Sequence, residues 1–203
     1  MIEFEIIDNF LPGPEFERLQ DTVLSAEFPW FYIEHVSLDP IDDNIIDEYA
    51  VETDGYAHLF YEKERNLTAV TYRILDDFNN QLEKRLGITR DDILRSRASI
   101  KHPKVGYTKE NYNLPHVDYF IPHLSLIYYV NDSDGATRIF NEKFVPTPKG
   151  SNLGISYNTF TVRDTVEPKA NRLLIINGLQ YHTASNPVDY KRRVILNINT
   201  VAK

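Results

Sequence analysis

The chain contains no cysteine among its 203 residues. That absence excludes disulfides, zinc–thiolate sites, iron–sulfur clusters and cysteine nucleophiles, so any metal has to be held by histidines and carboxylates. Positive charge is also scarce. Against 30 Asp and Glu stand 22 Lys and Arg, giving a formal net charge of −8. Neither a nucleic-acid backbone nor an anionic membrane surface is expected as a partner, because phosphate binding needs clustered cations. No apolar run approaches the roughly 18 residues of a membrane span. The N-terminal "MIEFEIIDNFL" lacks the basic region and apolar core of a signal peptide, so a soluble, cytoplasmic location is expected.

No repeat, low-complexity tract or linker divides the sequence, and a single domain over residues 1–203 is expected. Hydrophobic content of 42% and charged content of 26% are ordinary for a globular chain. The 13 Tyr and 11 Phe favour strands. Within 1–94 the pattern is mixed. "EFEIIDNFL" alternates like an edge strand. "PGPEFERLQDTVLSAEF" sets Phe16, Leu19 and Val23 at helical spacing after Pro14, with Pro29 as its terminator. A second helix is expected from about Asn66 to Leu86, with a stripe of Val70, Ile74, Leu75, Phe78, Leu82 and Leu86 and a cap at Gly87. Thr89 and Asp92 have capping-box spacing. Between the helices, residues 39–54 are strongly acidic and read either as a solvated loop or as a lid that meets a basic substrate. Trp30, Phe31 and Tyr32 read as core packing, with the border of a pocket as the other possibility.

From residue 95 onward, short β-branched and aromatic runs alternate with Gly, Pro and Asp-Gly breaks: "RASIKH", "HLSLIYYVN", "TRIF", "NTFTVRD", "NRLLIIN" and "RRVILNINT". Many short strands without intervening helix indicate a sandwich or barrel of jelly-roll type, with the helices of 1–94 packed against it.

Within that region "NLPHVDYF" places His116 and Asp118 two residues apart. A chain with six His and 30 acidic residues offers many such pairs by chance, so the pair means little without a third ligand. His35 and His58 read as structural, His102 as a strand end and His123 as the far side of a turn. His182 follows an apolar strand and the turn-bearing "GLQYH", at a corner of the β-structure. Eleven residues later Arg193 opens "RVILNINT". Strand parity puts Arg193, Ile195, Asn197 and Asn199 on one face and Val194, Leu196 and Ile198 on the other. The apolar face should meet the helices and the polar face a pocket. That selects Arg193, with Arg192 as second choice.

His-x-Asp, a distant second His and a following Arg resemble the Fe(II)- and 2-oxoglutarate-dependent dioxygenases, and most of all their prolyl-4-hydroxylase-like branch. "IYYVN" with "DGATRIF", "NRLLIINGLQYHTASNPV" and the N-terminal "IIDNFLPGPEFERLQ" are similar to that branch too. The interval from His182 to the arginine is slightly longer than is common there. The resemblance implies a double-stranded β-helix (jelly roll), mainly β with N-terminal helices on the major sheet, in which 1–94 give helical support and an acidic loop and 95–203 the catalytic core. It implies Fe(II) held by His116, Asp118 and His182, and 2-oxoglutarate held by Arg193 and Tyr129. Dioxygen would be consumed, with ascorbate as a supporting reductant. A metal face of two His and one carboxylate leaves positions open for a chelating cosubstrate, and an Arg fork matches a carboxylate as Lys does not. The implied reaction couples decarboxylation of 2-oxoglutarate to succinate with C–H hydroxylation. The related halogenases lack the carboxylate found here at Asp118. The primary substrate is left open between peptidyl proline, another protein side chain and a small molecule. Rival readings are a zinc hydrolase, which gives no role to the arginine, and a cupin-like jelly-roll binding module without catalysis.

Overall fold

The computed structural model describes residues 3–34, 49–146 and 160–202. The segments are β1 (Phe4–Ile7), α1 (Gly13–Leu24), β2 (Phe31–Ile33), β3 (Gly55–Glu62), β4 (Leu67–Thr68), α2 (Asp76–Leu86), β5 (Ile93–Lys101), β6 (His123–Tyr129), β7 (Thr137–Lys143), β8 (Val162–Val166), β9 (Arg172–Asn177), β10 (Gln180–Ala184) and β11 (Arg193–Val201). They form an eight-stranded sheet in the order β1-β9-β6-β11-β5-β3-β2, with β4 beside β3, and a three-stranded sheet β10-β7-β8. All named strand pairs are antiparallel. This is a jelly roll with helices against its larger sheet. The first 94 residues supply strands as well as helices, since β1 through β4 extend the large sheet on both edges.

Alternation along the central strands creates both layers. Val194, Leu196 and Ile198 of β11 join Leu124, Leu126 and Tyr128 of β6 in the main core, with Leu19 and Val23 of α1 and Phe78 and Leu82 of α2. The opposite face carries Ile195, Ile127 and Tyr129, which pack against Ile139, Val166, Leu174 and Ile176 between the two sheets. The period of two thus separates a helix-facing core from an inner face that holds both apolar and polar groups.

Two helix expectations need correction. α1 ends at Leu24 rather than running to Pro29. Ser25 is already extended, and the chain turns there to bury Phe28 against Trp30 and Phe60. The expected helix from Asn66 is shorter as well. Asn66 sits in the left-handed region (φ 48°), Leu67 and Thr68 pair with β3, a 3-10 segment spans Val70–Leu75, and only Asp76–Leu86 is α-helical. The strand pairing takes up the backbone groups of the first residues, and Val70 is left 89% exposed. Gly87 caps α2 with φ 65°, and Thr89 and Asp92 form the capping box. Trp30 packs against the core, but Phe31 and Tyr32 lie on edge strand β2 and are 63% and 58% exposed, so they are not core residues. No described helix is long and apolar enough to cross a membrane.

Candidate active site

His116 and His182 form an isolated antiparallel bridge in which each backbone N–H donates to the other's carbonyl at 3.0 Å. Such a pair projects both side chains from one face, and the imidazole centroids lie 4.9 Å apart. Two residues on, Asp118 returns to the same side, while Val117 packs the opposite way into an apolar cluster with Tyr112 and Phe140. The ligand-type atoms of His116, Asp118 and His182 all lie within 4.8 Å of one another. The structure therefore brings these three candidate ligands together.

The surroundings define each group's chemical state. His116 Nδ1 lies 3.1 Å from the Leu114 carbonyl and His182 Nδ1 lies 3.1 Å from the Gln180 carbonyl. A carbonyl only accepts, so each Nδ1 carries a proton, which leaves Nε2 as the atom a metal could take. Burial, reinforced by the neighbouring His182, lowers the pKa of His116 to about 4. Asp118 Oδ1 accepts from Arg95 Nη2 at 2.8 Å, and Oδ2 accepts from Ser125 Oγ at 2.7 Å and Asn199 Nδ2 at 2.9 Å. Asn197 Nδ2 lies 3.2 and 3.4 Å from the two carboxylate oxygens. Burial alone would raise the pKa of Asp118, but His182 and the Arg95 charge outweigh it and hold the group ionised. Two imidazoles and a fixed carboxylate, all with ligating atoms on one side, suit a divalent transition metal with open positions.

The triad opens onto a pocket of about 460 Å³ between the sheets, including its mouth. Arg193 lines it and is 2% exposed. Its Nε donates to the Gly135 carbonyl at 2.6 Å and its Nη2 to Thr137 Oγ1 at 2.9 Å. Tyr129 lies beside it. The Tyr129 hydroxyl donates to the same Thr137 oxygen at 2.7 Å, and the Arg193 guanidinium sits 5.6 Å from the Tyr129 ring centroid. Arg192 takes the other side of the strand and reaches the Leu24 carbonyl at 3.4 Å.

The remaining histidines lie elsewhere. His58 bonds Pro29 and Thr71, and His102 bonds the Lys191 carbonyl. His123 is buried behind Asp118 next to Ser125, and His35 lies outside the described residues. Of the acidic 39–54 stretch, 39–48 is likewise outside them. Thr53, at its end, is buried and bonds Asn113 at 2.5 Å, while its hydroxyl accepts from Lys101 at 3.2 Å.

Sequence reasoning placed a strand at "RASIKH" but missed the pocket-facing side of β5. Arg95, Arg97, Ser99 and Lys101 alternate along it and pair with Asn199, Asn197, Ile195 and Arg193 of β11. Arg97, Ser99 and Lys101 line the pocket. The signal was present in "RSRASIK", where every second residue is polar while Ser96, Ala98 and Ile100 take the other face. Parity was applied to β11 and not to its neighbour.

No protein-family model and no curated protein sequence matches this chain. Solved structures do. An α-ketoglutarate-dependent non-heme epimerase from nogalamycin biosynthesis, SnoN, aligns with TM-score 0.60 at 13% identity, covering 98% of this chain and 78% of its own. A prolyl hydroxylase from Trichoplax adhaerens, solved with a peptide fragment of the hypoxia-inducible-factor oxygen degradation domain, aligns with TM-score 0.53 at 17% identity over 97% and 83%. A prolyl-4-hydroxylase from Pseudomonas putida gives 0.52 at 14% over 98% and 93%. The chain shares the fold of 2-oxoglutarate/Fe(II) oxygenases, prolyl hydroxylases among them, along nearly its whole length.

Proposed function

We propose that this chain is an Fe(II)- and 2-oxoglutarate-dependent oxygenase of the prolyl-4-hydroxylase-like kind, acting as a hydroxylase on peptidyl proline or on another protein or small-molecule substrate. One observation carries the reading: the His116–Asp118–His182 cluster faces a pocket that also holds Arg193 without a carboxylate partner among the described residues. A bound ferrous ion with 2-oxoglutarate and dioxygen would supply the oxidising chemistry that inserts oxygen into a C–H bond.

The chain's own residues do the rest. His116 and His182 offer Nε2 lone pairs because backbone carbonyls hold the Nδ1 protons. Arg95, Ser125, Asn197 and Asn199 orient the Asp118 carboxylate and keep it charged. Arg193 presents a guanidinium to the distal carboxylate of 2-oxoglutarate, with Tyr129 and Thr137 beside it as further hydroxyl partners. Ile127 and Ile195 give the pocket an apolar wall that limits water around the reacting atoms.

The test is formation of succinate from 2-oxoglutarate on addition of Fe(II). The wild-type protein should form it and His116→Ala should not. Succinate formation that is independent of metal, or unaffected by loss of His116, would contradict the assignment.

A further inference from the structure

Three polar atoms on the pocket wall have no hydrogen-bond partner although they are shielded from solvent: Arg97 Nε, Ser99 Oγ and Asn197 Oδ1. Arg97 and Asn197 are direct cross-strand partners on β5 and β11, and Ser99 follows Arg97 on the same face. Asn197 is 5% exposed. Its amide orientation is set by its neighbour, because Nδ2 points to the Asp118 carboxylate, which only accepts. The carbonyl oxygen therefore needs a donor from elsewhere. Arg97 supplies the reverse requirement, N–H groups and a positive charge with no carboxylate paired to it among the described residues.

The charges in the pocket are not otherwise balanced. Arg95 is already paired with Asp118 at 2.8 Å. Arg193 and Lys101 are cross-strand partners and both line the pocket, so together they meet one carboxylate of a dicarboxylate cosubstrate. A metal held by His116, Asp118 and His182 would take the other. Arg97 is left over, next to the triad. An internal residue of a peptide brings an N–H and a carbonyl but no anion. The three free atoms ask for an oxyanion and, adjoining it, an N–H or O–H donor.

We propose that Arg97, Ser99 and Asn197 form an anion-binding subsite for the primary substrate, a small molecule that carries a carboxylate next to an N–H or O–H donor: a free 2-amino or 2-hydroxy acid. The proposal rests on the oxygenase reading above. Arg97 takes the carboxylate, Ser99 donates to it, and Asn197 Oδ1 accepts from the neighbouring amine or hydroxyl. The carbon to be oxidised then lies on the side of the triad.

The experiment is isothermal titration of the full chain loaded with Mn(II) and 2-oxoglutarate, a redox-silent state, against the twenty free L-amino acids and L-lactate and L-malate. Each ligand that binds is compared with its amide. At least one acid should bind, and its amide should bind about tenfold more weakly or worse, the loss expected when a charge-assisted hydrogen bond is removed. Arg97→Gln should weaken the acid by the same factor and Arg97→Lys by less, while 2-oxoglutarate binding stays within about twofold. No binding by any acid, equal binding of acid and amide, or an unchanged Arg97→Gln would overturn the subsite. So would a loss of 2-oxoglutarate affinity in Arg97→Gln with the acid unaffected, which would give the residue to the cosubstrate. Should Arg97→Gln fail to fold, Arg97→Lys and the acid–amide comparison in wild type decide. Failure of wild type to bind 2-oxoglutarate with metal would instead sink the oxygenase reading, a result independent of Arg97.

Discussion

Arg193 and Lys101 face each other across β11 and β5, both almost wholly buried, and neither meets a carboxylate among the described residues. Burial, then the charges of Arg193 and Arg97, hold the Lys101 pKa well below its ordinary value. A carboxylate entering the pocket reverses the balance and raises it. Binding of 2-oxoglutarate should therefore be accompanied by proton uptake, read by calorimetry in buffers of different ionisation enthalpy. Lys101→Met should abolish the uptake. Proton release on binding, or an uptake that survives in Lys101→Met, would contradict this account of the pocket.

The inner face was legible in β11 because a strict alternation singled out Arg193, Ile195, Asn197 and Asn199. The same alternation was present in β5, yet it took the pairing register to show that Arg97 lies opposite Asn197 and Lys101 opposite Arg193. The meeting of His116 with His182 was not legible from residues alone. It depends on a bridge between segments far apart in the chain, which local pattern does not encode, and the expectation came from resemblance. The helix expected from Asn66 failed for a related reason. Its apolar spacing is helical, but pairing with β3 claimed the first residues. Phe31 and Tyr32 were misread because aromatic residues suit an exposed edge strand as well as a core.

Gly135 links the fold to the site. A Cβ there would lie 2.6 Å from the Ser185 carbonyl oxygen and 2.9 Å from Arg193 Cδ, and the Gly135 carbonyl accepts from Arg193 Nε. Gly135→Ala should push Arg193 out of place and weaken 2-oxoglutarate by about tenfold, the loss of one charged hydrogen bond, with metal affinity unchanged. Parallel titrations of metal and cosubstrate check this; an unchanged cosubstrate affinity would refute it.

Asn171 ties the N-terminal segment to the sheet. It is buried in the left-handed region at φ 62°. Its Oδ1 accepts from Leu11 N and Tyr128 Oη, and its Nδ2 donates to the Leu11 carbonyl. Asn171→Ala removes these bonds and leaves a Cβ residue in a conformation it disfavours, which should cost about 3 kcal/mol. Urea denaturation should show the loss in the midpoint at constant slope. A loss below about 1 kcal/mol would contradict the role given to this residue.

The pH dependence of the metal-free protein has a definite sign. His116 titrates near 6.5 when unfolded and at about 4 when folded, because burial disfavours its charged form. Between those values the unfolded chain binds more protons, so stability falls as pH drops from about 6.5 to about 4 and this contribution is constant below. His123, lowered for the same reason, adds to the slope. In His116→Gln the urea midpoint should fall less steeply over that window; an identical slope would show that His116 is not held neutral by the fold.

The most direct test of the central claim is anaerobic. Metal-free protein receives Fe(II) and then 2-oxoglutarate, and the weak visible charge-transfer band of the metal chelate is recorded alongside His116→Ala and Arg193→Ala. The account predicts a band in the wild type that is absent without His116 and needs more 2-oxoglutarate to saturate without Arg193. No band in the wild type, with neither metal nor 2-oxoglutarate bound, would contradict it and leave a jelly-roll binding module in its place.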